Sequence, residues 1–203
     1  MQDLARRISD APAKGRRKLV AIVGAPGSGK STLAAALVDQ LGSGAALVPM
    51  DGFHLDDRVL AARGLLARKG APETFDAYGF AAMIQRLAQQ PEVIIPVFDR
   101  SREIAIAGAQ VVTPETEIAV IEGNYLLLDQ APWSGLIDHW DLSVMLDVDE
   151  PELSRRLQDR WIAHNHSPED ALHRAQSNDL PNARRVIEHS MPADLHISNA
   201  AIP

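Results

Sequence analysis

The chain has 203 residues, 46% of them apolar and 23% charged, with a formal net charge of −7. That length fills one domain with little left for a second, and the balance is that of an ordinary globular protein rather than a disordered or fibrous one. The acidic excess argues against nucleic-acid and anionic-membrane partners, and the absence of cysteine excludes disulfide frameworks, thiolate metal sites and cysteine nucleophiles.

The opening stretch, Met1–Lys18, carries Arg6, Arg7, Arg16 and Arg17. The apolar run after it, Leu19–Val23, is too short for a signal-peptide core, and nothing elsewhere approaches a membrane span, so a cytoplasmic protein is expected. Leu19–Val23 reads as a buried strand, Ser31–Leu41 as a helix and Ala45–Pro49 as a second strand. Helical patterns follow at Arg58–Arg68 and at Phe80–Gln90, the latter ended by Pro91. Val93–Phe98, Ile118–Ile121 and Leu142–Val148 read as further strands, and Ser101–Pro114 alternates around Gly108 as a hairpin projecting from the sheet. From Glu150 the text is helical and arginine-rich until Pro181, and Leu195–Ile197 reads as a last edge strand. Alternating strands and helices predict an α/β fold, a mainly parallel sheet covered on both faces. One domain over 1–203 is expected, with a hairpin insertion at about 99–116 and a helical lid at about 152–180.

The strongest chemical signal is Gly24-Ala25-Pro26-Gly27-Ser28-Gly29-Lys30-Ser31, a Walker A pattern between a strand and a helix. Such a loop wraps phosphates with inward backbone N–H groups, which glycines permit, and the helix start adds its positive dipole end. Gly24 to Thr32 are therefore the candidate nucleotide cradle, Lys30 reaching the β- and γ-phosphates of ATP and the Ser31 hydroxyl a magnesium ligand. No Asn-Lys-x-Asp guanine-reading motif is present. Asp51, in Met50-Asp51-Gly52-Phe53-His54-Leu55, falls at the carboxyl edge of the sheet, where open α/β folds bind ligands. A carboxylate there accepts a proton from an attacking hydroxyl, holds magnesium, or caps the following turn.

Together these pieces resemble the uridine kinase, phosphoribulokinase and bacterial pantothenate kinase group of P-loop enzymes from Lys18 to Ile197, and among them most of all the kinases associated with bacterial fructose transport. The motifs that carry the resemblance are the P-loop, Met50–Leu55, Lys69-Gly70-Ala71-Pro72-Glu73-Thr74-Phe75-Asp76, Pro96-Val97-Phe98-Asp99 and Ile121-Glu122-Gly123. The resemblance implies a three-layer P-loop fold, ATP and magnesium as cofactors, Asp51 as catalytic base and Glu122 as a magnesium ligand. It implies an acceptor site drawn from Phe53, His54, Phe98, Asp99, Arg100, Arg102 and Tyr125. It also implies a lid, with Arg156 and Arg160 contacting phosphate from one helix face and Arg155 a neighbour of undecided direction. The expected partner is a small-molecule alcohol, a sugar or sugar derivative, with no nucleic acid or membrane insertion and a homodimer left open.

The chain also departs from its relatives. Uridine kinases carry a histidine and an arginine after Pro-x-Tyr-Asp, whereas this chain reads Asp99-Arg100-Ser101-Arg102-Glu103; the tyrosine- and histidine-containing pantothenate version is missing too. Arg100 and Arg102 are either partners for an acidic group on the acceptor or solvated hairpin charges. Asp147 ends a second Walker B-like strand and competes with Glu122 for magnesium, but it leads into an acidic helix start, which favours Glu122. His164 and His166, without a third ligand nearby, read as a solvated loop. Beside the sugar kinase stand a nucleoside or pantothenate-type kinase and a P-loop regulator without a small-molecule acceptor.

Overall fold

The run Lys18–Gly24 (β1) is apolar at nearly every position because both of its faces are covered, and every one of its residues is buried. In the computed structural model, which describes residues 1–198, β1 is the middle strand of a five-stranded sheet. Residues 199–203, the end of the domain expected over 1–203, lie outside the described residues. The sheet is completed by Ala45–Pro49 (β2), Ile118–Gly123 (β5), Leu142–Asp147 (β6) and Leu195–Ser198 (β7), in the order β2-β5-β1-β6-β7, with every neighbouring pair parallel.

Alternate β1 residues feed two cores. Val20 and Ile22 face Leu33, Ala34 and Leu37 of the helix Lys30–Leu41 (α2) and Leu4, Ala5 and Ile8 of an N-terminal helix, Gln2–Asp10 (α1). Leu19, Ala21 and Val23 face Phe80, Met83, Ile84 and Leu87 of the helix Ala77–Gln89 (α4), together with Trp133, Leu136 and Val186. Helices cover both faces, giving the three-layer α/β arrangement. The sequence reading missed α1: its apolar face is only Leu4, Ala5 and Ile8 among charged residues, and its last carbonyls are held from outside by Lys18, whose Nζ donates to Ile8 and Ser9 at 2.6 and 2.7 Å.

Four expected elements differ. The helix expected over Arg58–Arg68 is only Asp57–Ala62 (α3), ending before Gly64 in the left-handed region at φ 69°, with a separate 3-10 turn at Leu66–Arg68. Helix α4 starts three residues before Phe80, where the Asp76 side chain caps it by accepting from the Gly79 N–H at 2.9 Å. Val93–Asp99 (β3) lies outside the five-stranded sheet; among the described residues it pairs with Ile104–Val112 (β4), antiparallel, as a separate two-stranded ribbon. The inserted ribbon is therefore 93–112 rather than about 99–116, and its register slips between Ile95 and Val97. Finally, the helical text does not stop at Pro181. After Glu150–Ala163 (α5) and Pro168–Arg174 (α6), a π-helical turn at Ala175–Asp179 leads into Leu180–His189 (α7), where Pro181 sits in the first turn and its missing N–H costs little.

One buried cation ties these parts together. Arg17, 1% exposed, donates from its guanidinium to the carbonyls of Leu87, Gln90, Pro91, Thr113 and Thr116 at 2.7–3.3 Å. It thereby joins the start of β1 to the end of α4 and to the turn between the ribbon and β5. Removing it would strand these carbonyls without a donor. Arg17→Ala is expected to cost roughly 2–4 kcal/mol of stability, read as a lower denaturant midpoint with an unchanged slope.

Candidate active site

The phosphate loop leaves β1 at Gly24 and enters α2 at Lys30. Gly27 and Gly29 adopt φ of 82° and 88°, left-handed values that a side chain would strain, and this is what lets the loop curl so tightly. A Cβ on Gly27 would also lie 3.2 Å from Leu157 of α5. That contact belongs to a small core of Ala25, Leu153, Leu157, Ala175, Leu180 and Ala183, by which α5 to α7 seat directly on the loop.

The strand order places three functional candidates on adjoining strands: the loop follows β1, Glu122 lies on β5 and Asp51 follows β2. Glu122 registers with Ile22 on one side and Pro49 on the other. It is buried, and its Oε2 accepts from the Ser31 hydroxyl at 3.1 Å. Burial pushes its carboxyl above the ordinary value, with the nearby Lys30 charge opposing the rise. A hard divalent cation takes oxygen ligands and retains waters and phosphate oxygens, and an adjacent hydroxyl and carboxylate fit it. Among the described residues no group of three or more His, Cys, Asp or Glu side chains could hold a metal ion. Asp147 is exposed, bonded to His196 Nδ1 at 2.9 Å, and lines a cleft beside the loop.

Asp51 lies in a short 3-10 turn, Met50–Phe53, and its Oδ2 accepts from Arg100 at the ribbon tip. His54 Nε2 is 3.9 Å from Asp51 Oδ1, and its ring lies between Phe75, centroid 4.1 Å away, and Phe98, at 4.8 Å. Burial lowers the His54 pKa to about 4, so the imidazole is neutral near pH 7; its Nδ1 is buried without a hydrogen-bond partner. Phe98 also carries Arg100 and Lys69 over its ring, at 5.9 and 5.5 Å.

Other expected residues sit elsewhere. Tyr125 is fully buried, donates to the Gly70 carbonyl at 2.5 Å and packs on Phe75 and Trp133, which makes it core rather than acceptor wall. Phe53 packs edge-on against Phe80, 5.2 Å between centroids. Asp99 closes the ribbon turn, accepting from the Ser101 hydroxyl and from Arg102 Nε at 2.6 and 2.7 Å; these bonds hold its pKa down to about 2 and tie Arg102 to the turn. On the lid, Arg156 binds Glu152 at 2.7 Å and reaches the Ser28 carbonyl at 3.4 Å. Arg160 instead pairs with Asp179 at 3.4 Å and lies over the Trp161 ring, while Arg155 bonds Glu152 and Asp159 on its own helix. Thr32 is exposed in the first turn of α2.

Sequence reasoning passed over two features. Lys69, beside the acceptor-side aromatics, binds Asp57 at 2.8 Å and Glu103 at 3.5 Å, anchoring the ribbon tip; its signal was a lysine just before the Gly70-Ala71-Pro72 turn. The second is a cleft of about 890 Å³ beside the loop, reached by Ala25, Val148, Arg156, Val186 and Met191. It is made partly by α7, a helix the reading had stopped short of.

A family model for the phosphoribulokinase and uridine kinase family matches residues 19–199. The chain is 32% identical over 199 residues to Schizosaccharomyces pombe C227.14, named provisionally as a uridine kinase, covering 89% of this chain and 82% of that protein. It is 34% identical over 187 residues to the uncharacterized Escherichia coli protein YggC, covering 89% and 77%. A crystal structure from Silicibacter sp. TM1040, whose name gives a fructose transport system kinase as a provisional role, superposes with a TM-score of 0.90 at 51% identity, covering 97% of this chain and 96% of that one.

The Glu122 environment has a consequence for stability. A carboxyl whose folded pKa is raised contributes its full stability below the unfolded value, near 4.5, and loses it as pH rises through the folded value. Metal-free Glu122→Gln is therefore expected to melt above the wild type at neutral pH, by about 2–4 °C for each kcal/mol relieved in a domain of this size. The gap should close toward pH 4, as thermal denaturation across pH in the presence of a chelator would record.

Proposed function

The chain belongs to the phosphoribulokinase and uridine kinase family and is a kinase that transfers a phosphoryl group to a hydroxyl of a small molecule, and from that premise we propose that it uses ATP with magnesium to phosphorylate a sugar or sugar derivative. The observation that carries this reading is the alignment of the phosphate loop, Glu122 and Asp51 at the carboxyl ends of three adjoining strands, with the Phe98 ribbon facing Asp51. A nucleotide switch has no need of a carboxylate and an aromatic cleft opposite its phosphate loop. The sugar assignment draws on the likeness to the fructose transport system kinase and on the departures at Asp99–Glu103 from uridine and pantothenate enzymes.

In this reading the loop N–H groups of Gly24–Ser31 and the Lys30 ammonium hold the phosphates, and Arg156 adds charge from the lid. Ser31 and Glu122 would hold magnesium, which when bound neutralises phosphate charge and orients the chain of phosphates. The cleft of about 890 Å³ between the loop and α7 supports a place for the nucleotide base. Asp51 orients the acceptor hydroxyl and takes its proton as the acceptor oxygen bonds to the γ-phosphorus, and the electron pair of the broken bond leaves on ADP. The packing of α5 against Gly27 supports exclusion of water during transfer. Arg160, engaged with Asp179, supports the lid's shape.

An ATP-consumption screen over sugars, sugar phosphates, sugar acids, nucleosides and vitamins identifies the acceptor. With that acceptor, Asp51→Asn is expected to leave ATP binding nearly unchanged by calorimetry and to slow transfer by about a hundredfold or more. Asp51→Ala should be slower still, since asparagine can still position the hydroxyl. Full transfer by Asp51→Ala would remove the base from the mechanism and favour the regulator reading.

A further inference from the structure

Three cations stand at the ribbon tip, and their partners distinguish them. Arg102 closes the turn with Asp99, and Lys69 is shared between Asp57 and Glu103. Arg100 alone of the three pairs with Asp51. Its side chain is 61% exposed and its guanidinium lies over the Phe98 ring. The bond engages Oδ2, so an acceptor hydroxyl or a water that reaches that oxygen competes with a guanidinium already bound there.

We propose that Arg100 selects an acceptor bearing an acidic group, a sugar phosphate or sugar acid, and that its ion pair with Asp51 guards the base until such an acceptor arrives. The inference rests on Asp51 being the proton acceptor. A neutral polyol offers Arg100 nothing in exchange for the Asp51 carboxylate. A carboxylate offers the same charge and a phosphate a larger one, each with two oxygens that the guanidinium fork can span, so the guanidinium changes partners without losing its pairing. The exchange uncovers Oδ2 while holding the acceptor, with its hydroxyl near the acid group, beside the freed oxygen. Without acceptor the guard also hinders waste: for a water to be phosphorylated, its oxygen must bond to the γ-phosphorus, its proton must pass to Asp51, and ADP must leave with the electron pair. Exposed ion pairs are weak, so the guard opens readily to the right charge.

The test uses matched acceptors: glycerate against glycerol and gluconate against glucose for the carboxylate arm, fructose 6-phosphate against fructose for the phosphate arm. The wild type should use the acidic member of at least one pair about tenfold or more better than its neutral partner, the arm identifying the acid. Arg100→Ala should raise KM for that acid about tenfold or more while changing kcat less, and Arg100→Lys should restore part of the loss. ATP hydrolysis without acceptor should rise about threefold to fivefold in Arg100→Ala, the scale set by an exposed pair. Unchanged acid preference in Arg100→Ala overturns the selectivity role, and unchanged hydrolysis overturns the guard, even where Asp51→Ala abolishes transfer. Full transfer by Asp51→Ala instead overturns the base reading on which both depend.

Discussion

Glu122 is a carboxylate held inside a sheet, and that placement constrains much of what surrounds it. On β5, between β1 and β2, it has lost most of its water and retains the Ser31 hydroxyl and the neighbouring Lys30 charge as compensation. An acid so placed favours positive charge close by. The phosphate loop is the element that brings it: Lys30 and Ser31 both lie in the first turn of α2, whose helix start points its N–H groups the same way. The tight curl at Gly27 and Gly29 is what lets that helix begin so near the strand end.

The lid and the ribbon approach this centre from different directions and by different physics. Helices α5 to α7 attach by apolar packing, Leu157 resting against Gly27, and Arg184 of α7 is tied to Glu150 of α5 within the lid itself. The ribbon attaches through buried Val93, Ile95 and Val112 at its base and through charges and an aromatic at its tip. Apolar packing is not weakened by ionic screening, whereas exposed ion pairs are. The lid seat and the ribbon tip therefore respond differently to the same solution.

Much of this was legible in the sequence because it is local. Buried strands announce themselves as continuous apolar runs, and the phosphate loop's dihedral requirements leave glycines at fixed spacing. The preference for Glu122 over Asp147 came from neighbouring residues; in the structure Glu122 lies against Ser31 and Asp147 is exposed beside His196. What failed to show was long-range. Arg17 reads as one more terminal arginine, yet its carbonyl partners lie 70 or more residues away. Tyr125 follows a strand-end glycine as a site residue would, but its hydroxyl finds Gly70 in the core. The strand pattern of Val93–Asp99 contains nothing that names its partner, and so the ribbon's true extent was hidden.

Among the described residues the ribbon's strands pair with each other and not with the five-stranded sheet. A one-residue change in its tip therefore propagates no register shift into β1, β5 or β2, where any slip would turn side chains to the wrong face. The fold thus divides into a part that must stay fixed for the phosphate loop to keep its shape and an arm that can vary in length and charge at small structural cost. Such a division lets one scaffold change what its arm touches through evolution without having to rebuild its centre.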